Sequence, residues 1–330
     1  MPDDSAFEAG EAEDWSIQDH IPVLAAEVFE WVQPALKSGD VLVDCTLGGG
    51  GHAERILSGI DGVDVIGIDR DADAIDAARR RLAPYGTRFV AVHANFTEVA
   101  QIVREHFSGE VAAFLYDLGV SSFQLDRPHR GFQYRRGAPI DMRMDASSGK
   151  TAADVVNTYS PQELADIIFR YGEDRYARRI ARSIVRRREK EPFADAGDLA
   201  EVVRAAIPAA TRRSGPHPAR RTFQALRIHV NQELESLEES LEAAQEVLKP
   251  EGRIVAISYH SLEDRIVKRT FAAWAAGCRC PRDFPVCVCG KEATARVLTK
   301  KPIRPALGEV ADNRRSDSAR LRVAEKLRVA

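Results

Sequence analysis

From about residue 40 the chain alternates short apolar, β-branched runs with stretches of helical periodicity. Val41-Leu42-Val43-Asp44 predicts a buried strand, followed by the run Gly48-Gly49-Gly50-Gly51 and a short helix from His52. Val63–Asp69 predicts a second strand, Ala72–Leu82 a helix after it, Arg88–Val92 a third strand and Val111–Asp117 a fourth. Apolar strands alternating with helices predict a parallel, doubly wound sheet. Between about 121 and 222 the alternation stops and no apolar strand is found. A Gly/Arg/Pro-rich loop (Arg127–Gly149) is followed there by helical periodicity from Pro161 to Ala206. Around Arg175–Lys190, Tyr176, Ile180 and Ile184 recur every four residues as a core face, while Arg175, Arg179, Arg182 and Arg186 take another side. Alternation resumes with one long helix over Thr222–Leu248, a Lys249–Gly252 turn, the strand Arg253–Ser258 and strand propensity near Ala319–Ala324. The expected organisation is an α/β core over 20–120 and 223–330, interrupted by an inserted helical domain over 121–222.

Charge changes the picture once it is located. The 330 residues carry 47 Lys+Arg against 50 Asp+Glu, a net of −3 that on its face argues against a nucleic-acid partner. Residues 1–19 hold seven acids and no Lys or Arg, an acidic leader expected to be disordered. Without it the chain has 47 basic and 43 acidic side chains, a net of +4. Residues 121–222 hold 20 basic against 13 acidic side chains, and 291–330 hold 11 against 5. Such segments attract a phosphate backbone, so the insertion is expected to recognise the substrate. Hydrophobic residues at 44% and charged residues at 29% exclude wholesale disorder. No run approaches the roughly 18 apolar residues of a membrane span. The N-terminus lacks the pattern of a signal peptide, so a cytoplasmic location is expected.

The strand-to-helix loop Asp44–Gly51 carries the first candidate chemistry. Its glycines allow positive φ and close backbone approach, and the helix beyond offers free N–H donors. Asp69 ends the second strand, where a carboxylate can accept from both ribose hydroxyls. Gly48, Gly50 and Ala53 also satisfy G-x-G-x-x-A, so the loop alone leaves NAD and S-adenosylmethionine both open. Phe96 after the third strand, in reach of an adenine, and Asp117-Leu118-Gly119-Val120-Ser121-Ser122 at the rim of the fourth favour the methyl donor over a nicotinamide oxidoreductase.

Several longer segments then carry a specific resemblance. They are His20–Leu24, Asp44–His52, Asp117–Asp126, Arg130-Gly131-Phe132, Asp141–Asp145, Thr222–Ile228 and Ser258–Arg265. Together they closely resemble the bacterial ribosomal RNA small subunit methyltransferase H family over roughly residues 20–325. The resemblance implies a class I S-adenosylmethionine-dependent methyltransferase fold, Rossmann-like, with an inserted helical domain. It implies methylation of the exocyclic N4 of one cytosine in 16S rRNA, near the ribosomal P site and within the small subunit. A DNA cytosine-N4 methyltransferase is the neighbouring alternative, since it faces the same chemistry. Cofactor contacts implied by motif are Gly50, Gly51, His52, Asp69 and Phe96, with Asp117 and Gln124 completing the site. No membrane partner is expected, and a homodimer is left open.

The cytosine amine is a weak nucleophile, so its lone pair must be localised and a proton accepted. Asp117 is the expected link between cofactor and acceptor, with Ser121 or Ser122 orienting the amine. His260, just past the fifth strand, is expected either to take the proton or to hydrogen-bond a backbone carbonyl. Phe132 and Tyr134, interleaved with Arg130, Arg135 and Arg136, are candidates to stack on RNA and grip phosphates, or else to pack over the cleft. Cys278, Cys280, Cys287 and Cys289 form a C-x-C-x6-C-x-C pattern, compatible with structural zinc or with reduced thiols. No metal is assigned to the reaction itself. Cys45 on the first strand reads as a small core residue.

Overall fold

The computed structural model describes residues 22–209, 217–277, 280, 284, 286 and 288–328, except for the side chains of 122 and 123. The acidic leader therefore lies outside the described residues. Strands β1 (Val41–Asp44), β2 (Asp64–Asp69), β3 (Phe89–His93), β4 (Val111–Asp117) and β5 (Leu248–Ser258) pair in parallel. The last two, β6 (Ala295–Val297) and β7 (Arg320–Lys326), close one edge as an antiparallel pair, with β7 antiparallel to β5. The order is β3-β2-β1-β4-β5-β7-β6, so the winding reverses between β1 and β4. Every residue of β1 is buried, and in β4 only the terminal Asp117 is partly open. Central parallel strands covered on both faces require this near-continuous apolar character.

Helices α1 (Ala25–Val32), α2 (Gly51–Gly59) and α3 (Ala72–Leu82) cover one face, packing around Leu42, Val65, Leu115 and Val255. The other face begins with α4 (Val99–His106). After β4 the chain leaves the sheet through α5 (Ser122–Asp126), α6 (Ala152–Thr158), α7 (Pro161–Gly172), α8 (Ala177–Arg188), α9 (Ala196–Ala206) and α10 (Arg220–Asn231). These build a core of their own around Ile140, Val155, Ile168, Ile180, Ile184, Leu199 and Leu226. Ile180 and Ile184 take the inward positions that the four-residue spacing predicts, while Tyr176 is half-buried. α11 (Glu233–Val247) and α12 (Ser261–Ala275) then return to the sheet beside α4, around Val43, Ile66, Phe114 and Ala256. A short α13 (Leu307–Asp312) precedes β7.

The long helix expected over Thr222–Leu248 is two helices, α10 and α11, broken at Gln232 with φ +50°. Hydrophobic period runs through the break because both helices are amphipathic, but they serve different cores. The side chain of Asn231 fixes the corner. Its Nδ2 donates to the Met142 carbonyl at 2.7 Å, and its Oδ1 accepts the Met144 N–H at 2.8 Å. The turn expected at Lys249–Gly252 is a bulge inside β5, since pairing passes directly from Val111↔Leu248 to Ala113↔Arg253. The three-residue strand β6 has no counterpart in the sequence expectations. Among the described residues, no helix is long and apolar enough to cross a membrane.

Replacing Asn231 by Ala leaves a buried carbonyl and a buried N–H without partners. Asn231→Ala is expected to lower unfolding stability by roughly 2–4 kcal/mol, read as a reduced denaturant midpoint at unchanged slope.

Candidate active site

Parallel strands deliver their C-terminal ends to one edge, and the crevice opens where the winding reverses. Asp44, Asp69, His93 and Asp117 end β1 to β4 on that edge. A cavity of about 320 Å³ there is lined by Thr46–Gly49, Gly51, His52, Asp69, Arg70, Phe96 and Asp117–Ser121, and on its far wall by Met144, Arg227, Glu233, Leu237, Tyr259 and Glu263.

The glycine loop is shaped by two positive φ angles, +50° at Gly48 and +79° at Gly50. Gly50 caps α2 and turns the chain, its N–H donating to the Leu47 carbonyl. A side chain on Gly50 would meet Leu82 Cδ1 at 3.0 Å, and one on Gly51 would meet Pro22 Cγ at 2.6 Å. Gly51 and His52 line the cavity as expected, whereas Gly50 does not; Gly48 and Gly49 stand there instead. The first two glycines face the ligand because the third is used up in closing the turn.

Asp69 is tied into this loop. Its Oδ2 accepts the Gly48 N–H at 2.8 Å and its Oδ1 the Asp71 N–H at 2.9 Å. Burial nevertheless pushes its pKa up. Phe96 lines the cavity with its ring edge-to-face on Tyr116 at 6.0 Å. Gln124 is buried and braces the scaffold, donating from Nε2 to Asp71 Oδ2 at 2.9 Å and accepting the Ser121 N–H on Oε1.

Asp117 is held from several sides. Its Oδ1 accepts the Tyr259 hydroxyl at 2.7 Å, and its Oδ2 stands 3.5 Å from His52 Nε2. Thr46 Oγ1 accepts the Asp117 N–H, fixing the strand end. Both ring nitrogens of His52 are buried and have no hydrogen-bond partner. Ser121 caps α5, its Oγ accepting the Gln124 N–H at 3.3 Å, so its hydroxyl proton is left to donate toward the cavity that Ser121 lines. The Ser122 side chain lies outside the described residues.

His260 corrects an expectation. It accepts rather than donates to the backbone: Nδ1 takes the Glu263 N–H at 3.3 Å and caps α12, so no carbonyl is bonded there. Its Nε2 lies 3.0 Å from Glu263 Oε1, and the residue does not line the cavity, which leaves it no direct path to an acceptor amine. Glu233, His260 and Glu263 stand close enough to share a cation, but Arg227 already supplies one. Its guanidinium binds Glu233 through two bonds of 2.8 Å and reaches Glu263 at 3.9 Å. Burial would raise the Glu263 carboxyl, but His260 first and then Arg227 hold it below the usual range.

The aromatic and basic residues of the inserted loop divide. Phe132 and Arg130 are buried, the latter pairing with Asp71 at 2.8 Å and bonding the Arg143 and Met144 carbonyls, so neither is available to RNA. Tyr134, Arg135 and Arg136 are exposed, with Tyr134 stacked on His217 at 4.4 Å. Cys278 and Cys287 lie outside the described residues, so the four-cysteine pattern is not described. Cys45 is buried in the core, which pushes its thiol pKa up. Sequence reasoning missed the far wall of Arg227, Glu233, Tyr259 and Glu263. Tyr259 and Glu263 lie inside a recognised segment, but nothing local marks them as facing Asp117. Arg227 and Glu233 meet only because the helix breaks between them.

Comparison with known proteins identifies the family. A model of the MraW methylase family matches residues 17–327. The chain belongs to the MraW methylase family. It is 54% identical over 311 residues to the ribosomal RNA small subunit methyltransferase H of Carboxydothermus hydrogenoformans, covering 94% of this chain and 99% of that one. The protein of the same description from Symbiobacterium thermophilum is 52% identical over 310 residues, covering 93% and 96%. That from Brevibacillus brevis is 48% identical over 309 residues, covering 93% and 98%. The architecture of this MraW methylase is the class I S-adenosylmethionine-dependent methyltransferase fold. The site residues fit that cofactor on two counts. Asp69 and Asp117 present two acids to a cationic ligand, and His52, whose buried ring nitrogens make no hydrogen bond among the described residues, lines the same cavity.

Asp44 carries the strongest electrostatic consequence. Burial, with Asp117 and Asp69 nearby, pushes its pKa up to about 7 against the opposing pull of His52 and the Thr46 N–H. The folded protein therefore keeps a proton that the unfolded chain has released, and this contribution to stability is lost as pH rises from about 4 to about 7. Asp44→Asn is expected to remove that slope. Its stability relative to wild type should rise across the window by up to about 4 kcal/mol, measured by denaturant unfolding at pH 4.5 and pH 8.

Proposed function

We propose that this MraW methylase transfers a methyl group from S-adenosylmethionine to the exocyclic N4 of one cytosine in 16S rRNA, near the ribosomal P site. The substrate is the small ribosomal subunit, and the protein acts in the cytoplasm. The observation that carries this reading is the Asp117 carboxylate, placed at the cavity edge with one oxygen held by Tyr259 and the other turned toward His52. The description shared by its relatives, ribosomal RNA small subunit methyltransferase H, supports the substrate class.

The bound cofactor supplies an electrophilic methyl group on a sulfonium. Asp69 binds the ribose hydroxyls through lone pairs not used by Gly48 and Asp71, and Phe96 covers the adenine. Gly51 and His52 hold the methionine end. The target base must leave its stack, at a cost of a few kcal/mol. Asp117 Oδ2 would accept a hydrogen bond from the amine, localising the nitrogen lone pair and stabilising positive charge as the N–C bond forms and the S–C bond breaks, the neutral thioether S-adenosylhomocysteine leaving. It then accepts the proton, while the Tyr259 hydroxyl keeps the carboxylate oriented. The Ser121 hydroxyl orients the amine from the other side of the loop.

Labelled methyl transfer to small subunits, free 16S rRNA and DNA, followed by nucleoside mass spectrometry, tests the assignment. N4-methylated cytidine is expected from the small subunit; transfer to DNA alone, or no such nucleoside, overturns it. In the same assay Asp117→Asn should lower turnover by about two to three orders of magnitude with an unchanged unfolding midpoint. Near-normal turnover would remove Asp117 from the reaction.

A further inference from the structure

Helix α8 carries six arginines, which the structure sorts into two kinds. Arg187 binds Asp198 at 2.6 Å, and Arg188 donates to the Val156 carbonyl at 2.7 Å. Arg178, Arg179, Arg182 and Arg186 are exposed, and none has a carboxylate within 4.0 Å among the described residues. The sole side-chain hydrogen bond of the four is from Arg182 Nε to the Arg178 carbonyl, within the helix itself. Other exposed arginines are paired, as in Arg104–Glu246, Arg170–Glu235, Arg204–Glu201, Arg265–Glu173 and Arg328–Glu251, whereas these four lie together on one helix.

The four also share a direction. At about 100° per residue they cluster on one stripe, opposite the buried Ala177, Ile180, Ala181 and Ile184. From Arg178 to Arg186 the stripe runs about 12 Å at 1.5 Å per residue. Arg175, just before the helix, stacks on Tyr176 at 4.8 Å and extends it. Of the nearby exposed acids, Glu189 caps the helix at the end of the stripe without an ion pair to it among the described residues, and Glu191 lies beyond. A row of uncompensated guanidiniums repels itself, and a polyanion removes that cost while releasing its own counterions.

We propose that the outward stripe of α8, Arg178, Arg179, Arg182 and Arg186, is a second RNA contact that grips the phosphate backbone without reading sequence. It rests on the rRNA reading and extends the substrate footprint from the catalytic edge onto the outer face of the inserted helices. The four side chains act on affinity and register, not on the transfer step.

The test is RNA binding by the full chain at several salt concentrations, using transcribed 16S rRNA and an unrelated RNA of equal length. The variant carries Arg178→Gln, Arg179→Gln, Arg182→Gln and Arg186→Gln together; a control carries Lys268→Gln and Arg269→Gln on the exposed side of α12. The variant is expected to bind both RNAs at least about tenfold more weakly near 0.1 M salt. Its slope of log affinity against log salt should fall by about 3, with an unchanged unfolding midpoint and unchanged S-adenosylmethionine affinity. A wild-type slope in the variant, or an equal loss in the control, overturns the proposal. So does loss of binding to phosphatidylglycerol vesicles with RNA binding intact. If the slope falls as expected while the wild type methylates neither RNA nor small subunits, the contact stands and the substrate reading falls.

Discussion

The structure depends on placing three carboxylates side by side at the ends of buried parallel strands. Adjacency of β2, β1 and β4 brings Asp69, Asp44 and Asp117 to the same edge. Three ionised carboxylates on one edge would repel one another, and each is accommodated differently. Asp69 takes two backbone N–H bonds, Asp117 takes a tyrosine hydroxyl, and Asp44 holds its proton up to about pH 7. Asp69 and Asp117 are the two of the three that line the cavity.

That edge is also where the inserted helices are anchored. Asp71, buried at the start of α3, accepts from Asp73, Gln124 and Arg130, joining the cofactor side of the cleft to the segment that follows β4. On the far wall, Arg227 of α10 pairs with Glu233 of α11 beneath the corner made by Asn231. Buried ion pairs contribute little net stability but penalise every geometry in which one partner is lost. The insertion is thus held in one position relative to the sheet.

Legibility in the sequence followed how local each determinant was. Strand β4 was readable to its last residue, because six consecutive apolar or aromatic residues followed by an acid need no partner to be recognised. The placing of Gly51, His52 and Asp69 on one cavity was legible because the glycine turn and the strand end that carry them are marked by short local motifs. The loop Arg127–Gly149 was not readable in this way. Phe132 and Arg130 look like an RNA-binding pair in sequence, yet one fills the insertion core and the other neutralises Asp71, 59 residues away. The single helix expected over Thr222–Leu248 failed for a related reason. Amphipathic period reports that a face is buried, not which core buries it.

By itself, then, the sequence determined the alternating sheet, the glycine turn with its acid, the basic insertion and the family. Each is encoded by short-range pattern or by motif. Only the tertiary structure decided which side chains meet across the cleft. Tyr259 on Asp117, Arg227 between Glu233 and Glu263, Gly48 and Gly49 rather than Gly50 at the wall, and His260 turned into a helix cap all depend on contacts between separate elements. Such contacts are set by how cores pack and where helices break, and no periodicity along one chain carries that information.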